Sequence, residues 1–494
     1  MMMRRLFAIC FTLLSIGAHC QWESTALDSV FYEGWKTFGE KSGVSIGIIR
    51  NGEVVYANGF GKTDLNKEEN ISGHSVFPVA SISKAFTATL LTKVIEDKGY
   101  NWDTKVESVY PAFDLFDNYV ENNMTFKDLL NHRNGYKTFD GDLLWYYSKF
   151  STEEALKKFA QFPPNQNFRD NYGYQNTMFM VAAMVVEQEL GMSWSDAVNT
   201  FILTPLEMTE TSSNFQDHQK MDHVVYPVLQ EQTQPLSNFD NAVGAVGINS
   251  TVTDLMKWMA HWLDAKDERI ISAKNKAFLS KMHLVQNEIN GDFYGNSGVG
   301  LGWFITENHG KKQVSHSGGL PGFIHNLVWF PEINSGVVAL SNGTNYIPFA
   351  VSKYVGDLLM GEGDAGIFEQ YKGINTKNQQ KDADAVAKIL ERRGIPSLNK
   401  KQYLGNYQDN VFGEAIISKN GGQLFLDFTY TTSMFKGNLI SQGPDQFIWK
   451  HAEPFLPMGS VYFQRDVHGE IESFKVVIHN HDFHFDNLLF EKGE

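Results

Sequence analysis

The stretch VSIGIIRNGEVVYANGF, residues 44–60, decides how the chain begins to fold. Residues 44–50 and 53–60 both carry the β-branched and aromatic pattern of strands. Asn51-Gly52 between them is the strongest short hairpin signal, because both residues accept the positive φ of a tight turn. The same strand character returns far downstream, as QVSHSGG, FIHNLVWF and GVVALSN between residues 313 and 342, separated by Gly and Pro turns. Between the two blocks the periodicity is helical: from residue 80 to about 98, closing at Gly99, then 152–162, then 178–190, ending before Gly191. Strands at both ends and helices between predict an α+β fold. One antiparallel sheet is assembled from distant halves and flanked by helices, and the central helices form a second lobe.

Composition shifts after about residue 361. GINTKNQQKDADAVAKILERRGIPSLN (373–399) is polar and reads as a connector with one short helix. From about residue 401 short alternating strands follow, with turns at Asn420-Gly421-Gly422, Gln442-Gly443-Pro444 and His468-Gly469. That pattern predicts a small all-β domain, barrel or sandwich. The expected boundaries are 1–20 for a leader, 21–365 for the large domain, 366–398 for the linker and 399–494 for the β domain.

The leader is MMMRRLFAICFTLLSIGAHCQWES (1–24). It has a basic start, an apolar run over 6–17, and small Ala18 and Cys20 at three and one before Gln21. This predicts a secretory signal peptide cleaved after Cys20, with the mature protein periplasmic or extracellular. A lipoprotein acylated at Cys20 fits less well, because His19 occupies a position that wants a small residue. A retained anchor is the third reading; the apolar run falls short of the roughly 20 residues a span needs. Both cysteines, Cys10 and Cys20, lie in this leader. The mature chain would then have no disulfide, no thiol nucleophile and no Cys-ligated zinc. The net charge of −15 and the lack of a Lys/Arg run disfavour a phosphate-backbone partner, and no nucleic acid is expected. No later segment has the apolar run of a membrane helix, so no stable membrane insertion is expected.

Three short patterns carry chemistry. In FPVASISKAFTATLL (77–91), Ser81 and Lys84 are three apart and share one helix face. Ser81 falls in the first turn, where backbone N–H groups favour developing negative charge. Lys84 lies among Val79, Ile82, Phe86 and Leu90; desolvation there would lower its pKa and make it a base for the serine. Alone, S-x-x-K arises by chance. Tyr174-Gln175-Asn176 precedes a helix; a tyrosine can pass a proton and an asparagine amide can bond a carbonyl or a lysine. An ordinary loop is the plainer reading of it. His316-Ser317-Gly318-Gly319 lies on a strand whose glycines permit close backbone approach, although His316 by itself reads as a structural histidine. The G-x-S-x-G match GVSIG (43–47) opens the first expected strand rather than a strand-to-helix elbow, and H-E-x-x-H, the Walker loop and strand-coupled G-x-G-x-x-G are missing.

Taken in order, S-x-x-K, Y-x-N and a strand with [KH]-x-G resemble the signature of the serine β-lactamase and penicillin-binding-protein superfamily. Tyr174-Gln175-Asn176 is similar to the class C β-lactamase and D-aminopeptidase branch. TFKDLLNHRNG (125–135), PLEMTETS (205–212), GAVGINSTVTDLMKW (244–258) and GLGWF (300–304) resemble it too. The likeness covers about residues 44–345. The β domain, opening YLGNYQD (403–409), more weakly resembles the lipocalin-like domain carried by some of these hydrolases. The resemblance implies acyl transfer to Ser81 as nucleophile, with Lys84 and Tyr174 sharing its activation and proton delivery to the leaving group. It implies that Asn176 positions Lys84 or the substrate amide. The N–H groups of Ser81 and Gly319, beside Gly318, would form the oxyanion hole. His316 would orient the Tyr174 hydroxyl or a substrate carboxylate. It implies a small-molecule or short-peptide substrate, with no cofactor and no metal, and leaves a homo-oligomer open. Many β-lactamases have lysine where this chain has His316. A histidine is a poor permanent cation, so D-peptides, amides and esters stand beside β-lactams as substrates. The alternative is a slowly deacylating, penicillin-sensing binding protein on the same fold.

Weaker signals remain. HNHDFHFDN (479–487) puts His479 and His481 on one face of an expected strand, where a solvated face is the plainer reading and a metal the sharper one. Asn70, Asn123, Asn249 and Asn342 fit the N-glycosylation pattern. His132 reads as structural, packing a loop near the site.

Overall fold

The computed structural model describes residues 22–286, 297–391 and 399–493. The signal peptide expected over 1–20 lies outside the described residues. The chain divides into two compact units, one from residues 1–85, 198–236 and 248–375, the other from 86–197, 237–247 and 376–494.

The first unit is organised by an antiparallel sheet. Among the described residues it has eight strands: β1 (Val44–Arg50), β2 (Glu53–Phe60), β3 (Leu284–Gln286), β4 (Ser297–Val299), β5 (Phe304–Asn308), β6 (Lys311–Leu320), β7 (Phe323–Phe330) and β8 (Ser335–Ser341). Their order is β2-β1-β8-β7-β6-β5-β4-β3. The hairpin forms as its sequence requires, with Asn51 at φ 53° and Gly52 at φ 84°. β1 then pairs with β8, Ile46 opposite Ala339 and Ile48 opposite Val337, which joins the two distant halves. Val44, Ile46 and Ile48 are buried with Leu27 and Phe31 of the helix Ser24–Thr37 and with Val351, Tyr354 and Val355 of the helix Ile347–Leu359. Residues between them on β1 face the other way, toward the helix Val252–Leu263. A Cβ at Gly47 would lie 2.9 Å from Met256 Sδ, so the missing side chain is what lets this helix pack closely.

The second unit holds central helices and the C-terminal β domain. The helix Thr177–Leu190 is buried along most of its length and ends at Gly191 in the left-handed conformation, as expected. The β domain is a closed eight-stranded antiparallel barrel in which each strand neighbours the next in sequence, from Gly405–Asp409 round to Phe490–Lys492. Its buried rings meet one another: Phe428 lies 4.8 Å from Trp449 and 4.9 Å from Phe490, and Tyr407 lies 4.9 Å from Phe474.

The barrel packs on residues 138–150 of the helical part of the same unit. Tyr146 stacks 4.1 Å from Phe483 and donates its hydroxyl proton to buried Glu453 at 3.1 Å. The Thr432 N–H bonds the Tyr147 carbonyl at 2.7 Å.

Three expectations need correction. The connector is not a short helix: Ile367–Glu391 is helical over 25 residues, running through Gly373 because no further Gly or Pro follows until Gly394. His479 and His481 do not share a strand face. The strand Ile471–Val477 stops before them, and they sit in an irregular loop that Asn480 ties together. Asn249 and Asn342 are buried, and the Asn342 amide bonds the Lys62 and Tyr226 carbonyls, so neither offers a glycan acceptor in the folded chain. No helix of the described residues is long and apolar enough to cross a membrane.

Candidate active site

Ser81 sits in a 3₁₀ turn, Ala80–Ile82, that runs directly into the helix Ser83–Lys98. Lys84 is wholly buried, and its Nζ donates to Ser81 Oγ at 3.0 Å. The spacing of three therefore brings hydroxyl and amine together. Ala80, immediately before the serine, has φ 53°. A residue with a Cβ in this region costs about 1–3 kcal/mol and persists only where its surroundings hold it. Here they do. The Val79 N–H bonds the Ile248 carbonyl at 2.9 Å, the Ile248 N–H bonds Ser83 Oγ at 2.9 Å, and Phe77 and Pro78 pair with Ser250 and Asn249. Ser83 is thus a buried structural serine, separated in role from Ser81.

β6 runs along this turn. A Cβ at Gly318 would collide with the Val79 carbonyl oxygen, whereas one at exposed Gly319 would meet nothing within 4 Å. The first glycine is required by close approach and the second leaves open space beside the strand. His316, on the same strand, is 2 % exposed and donates from Nδ1 to the Ser317 carbonyl at 2.6 Å. Burial, and then the nearby Lys84 charge, lower its pKa to about 3. At neutral pH the ring is uncharged. Phe304 packs against it at 5.2 Å.

His325 is a neighbour that sequence reasoning missed. It donates from Nε2 to the Pro78 carbonyl at 2.8 Å and accepts the Ser341 N–H on Nδ1 at 3.3 Å. Burial pushes its pKa down to about 3. It pins the backbone three residues before Ser81. A lone histidine in the apolar run FIHNLVWF was the available signal, since a buried ring must find partners.

Tyr174 and Asn176 belong to the second unit, on the segment that enters the helix Thr177–Leu190. The Tyr174 ring stacks on His132 at 4.4 Å and meets the edge of Phe139 at 5.5 Å. Its N–H bonds Thr138 Oγ1 at 3.1 Å, and its carbonyl accepts the Phe139 N–H at 2.8 Å. His132 accepts the Gln175 N–H on Nδ1 at 3.0 Å, in keeping with a structural role. Asn176 donates its amide to Asp142 at 2.6 Å, and Asp142 also accepts the Trp145 indole N–H at 2.9 Å. That bond fixes the amide and turns its oxygen away from Asp142. Neither Asp142 nor Thr138 was marked by any local pattern. The barrel reaches this loop too: His484 donates from Nε2 to the Thr138 carbonyl at 2.7 Å.

The family model described as Beta-lactamase matches residues 35–360. The chain belongs to this family. A second model, described as a domain of unknown function (DUF3471), matches residues 391–492, the barrel. Among curated proteins the chain is 25% identical over 341 residues to Penicillin-binding protein 4* of Bacillus subtilis, covering 62% of this chain and 70% of that protein. It is also 25% identical over 401 residues to Unguisins hydrolase ungD' of Aspergillus campestris, covering 76% and 74%. Among solved structures, the octameric penicillin-binding protein homologue from Pyrococcus abyssi matches with a TM-score of 0.60 over 95% of this chain and 99% of that one, at 20% identity. That likeness shows a shared fold. The family and its relatives put the chain in a serine-hydrolase superfamily.

Proposed function

We propose that the protein is an exported serine hydrolase that cleaves amide or ester bonds through an acyl-Ser81 intermediate. The observation that carries the reading is the 3.0 Å approach of a wholly buried Lys84 amine to Ser81 Oγ, at the head of a helix and beside a strained turn. Ser81 Oγ attacks the substrate carbonyl carbon and gives its single proton to the neutral Lys84 amine, from which Tyr174 relays it onward. The C–N or C–O bond breaks, and the leaving group takes that proton. Water then attacks the acyl-serine and restores the hydroxyl. The backbone N–H groups of Ser81 and Gly319 stabilise the oxyanion, and Gly318 allows the strand to come close enough. Asn176, fixed by Asp142, turns its amide oxygen to the lysine or the substrate amide. The order of the family's motifs, rather than a measured distance, joins Tyr174 and Asn176 to this chemistry.

Neutral His316 supports a substrate recognised through hydrogen bonds, in which the histidine orients a hydroxyl or carbonyl. Amides, D-aminoacyl peptides and esters fit this better than a free carboxylate seeking a cation. Export follows from the leader sequence, and an N-terminus at Gln21 in secreted protein would test it. A homo-oligomer is tested by light scattering. The decisive experiment is a hydrolysis panel of D-aminoacyl amides, short-chain esters and nitrocefin, with fluorophosphonate labelling in parallel. Wild type should label and turn over at least one class, and Ser81→Ala should do neither. Equal labelling of both proteins would overturn the assignment.

A further inference from the structure

Away from Ser81 and Tyr174, the described residues contain one group of side chains whose ligand atoms converge as metal ligands do. Asp382 lies on the helix Ile367–Glu391, and His479 and His481 lie in the loop after the strand Ile471–Val477. The three ligand atoms fall within 4.8 Å of one another. His479 Nε2 is 3.6 Å and His481 Nε2 3.9 Å from the same Asp382 oxygen, Oδ1. Both distances exceed a hydrogen bond. Two rings therefore aim at one carboxylate oxygen without bonding it. His479 Nε2 is shielded from water and has no hydrogen-bond partner, a state that buried ring nitrogens rarely keep.

The loop is built to present these rings. Asn480, between the histidines, donates to the Ile478 and Phe483 carbonyls, both at 3.0 Å, and accepts the Asp482 N–H at 2.9 Å and the Phe483 N–H at 2.5 Å. The ring planes stand 69° apart with centroids at 5.9 Å, as two ligands on neighbouring corners of one ion would. Tetrahedral coordination at about 2.0–2.1 Å sets neighbouring ligand atoms roughly 3.3 Å apart. Small rotations of these part-exposed side chains close that gap. The exposed Asp382 and His481 side chains also let an ion enter and keep water on its open positions.

The helix has a use for such an anchor. Over its 25 residues Phe368 is the buried one among those described. Near its C-terminal end the Gln442 side chain of the barrel bonds the Ile389 carbonyl. Between those two points the helix faces are mostly exposed.

We propose that Asp382, His479 and His481 bind one divalent transition-metal ion, zinc by preference, and that the ion staples the connecting helix to the barrel loop. Two imidazoles and one carboxylate, with no thiolate, suit zinc, nickel, copper or cobalt. Magnesium and calcium prefer oxygen ligands throughout. The ion is structural and takes no part in acyl transfer, so the site stands whether or not Ser81 is a nucleophile.

The test is calorimetric titration of zinc into the tag-free, chelator-treated full chain, followed by thermal melts with and without the metal. One zinc per chain and a raised melting temperature are expected, with magnesium inert. His481→Ala and Asp382→Ala alter exposed side chains and should melt like the metal-free wild type. Each should weaken zinc at least tenfold and cancel the thermal shift. Cobalt provides a second readout: its visible bands on binding should vanish in both variants. His481→Gln and Asp382→Asn repeat the measurement if an alanine variant loses its fold. The proposal is overturned if zinc does not bind, or if it binds as tightly in the variants.

Discussion

The turn carrying Ser81 and the loop carrying Tyr174 are held by different means. Around Ser81 the restraints are mainly on the backbone: the Val79 N–H to the Ile248 carbonyl, the His325 ring to the Pro78 carbonyl, and Gly318 of β6 close against the Val79 carbonyl. Around Tyr174 they are ring stacks and a relay of bonds between side chains and backbone, from the Tyr174 N–H to Thr138 Oγ1 and from His484 Nε2 to the Thr138 carbonyl. The first arrangement is stiff and gives little for a point substitution to adjust. The second draws on a residue of the C-terminal barrel, so the two halves of the proposed chemistry should respond differently to mutation.

The largest difference is expected at the buried amine. Lys84→Met keeps volume and removes the base, and should slow acylation about 10²–10⁴-fold at little cost in stability. Stopped-flow acylation by a fluorophosphonate or an activated ester measures it. A loss below tenfold would mean that another group activates Ser81.

The two glycines of β6 come next. Gly318→Ala drives a Cβ into the Val79 carbonyl. The turn must shift, at a cost of about 1–3 kcal/mol, and hydrolysis should fall with it. Gly319→Ala meets open space and should change stability by less than about 0.5 kcal/mol. Urea midpoints of the pair show whether the Ser81 side is as tightly fitted as its contacts imply.

Acid should weaken that side. The folded pKa of His316 is about 3, below the usual value of 6.5. Between those two values the unfolded chain holds a proton that the folded one does not. Stability is therefore full above pH 6.5 and declines as pH falls toward 3. Each histidine of this kind contributes at most about 1.4 kcal/mol per pH unit across that window. His316→Asn should remove one such share from the slope of unfolding free energy against pH. An unchanged slope would mean that the ring titrates normally.

The same contrast explains what could be read without a structure. Asn51-Gly52, the β1 pattern and the S-x-x-K spacing are local, and each is realised where the chain shows it. The all-β C-terminal domain was legible for the same reason, since its turns recur between short strands, but those turns left barrel and sandwich open and the closed pairing decides it. His325 was not legible, because its partners Pro78 and Ser341 lie in other segments. Thr138 and Asp142 escaped likewise: hydrogen bonds to the Tyr174-Gln175-Asn176 segment give them meaning, and no periodicity records those bonds. Buried Glu453 is half such a case: the N–H groups of Phe455 and Leu456 bond it locally, whereas its third partner, Tyr146, lies 307 positions away. The length of the helix Ile367–Glu391 was hidden by its polarity, which resembles a linker, and by Gly373 in its interior.

The smallest effect tests the relay itself. His484→Ala removes the bond to the Thr138 carbonyl, which is worth about 1 kcal/mol net. The His484 side chain is only partly exposed, and the barrel keeps its other bonds to the loop through Thr432 and Glu453. The fold should therefore survive. If Thr138 places Tyr174, kcat should drop about three- to tenfold with KM nearly unchanged, and labelling of Ser81 at saturating probe should stay complete. Thr138→Val, which removes the Oγ1 that accepts the Tyr174 N–H, should reproduce the kcat loss in the helical part. The double variant should then lose little more than either single one, as expected for two links of one chain. Fully additive losses would instead mean that the barrel and Thr138 act on the loop separately, and that the barrel steadies this unit without reaching the tyrosine.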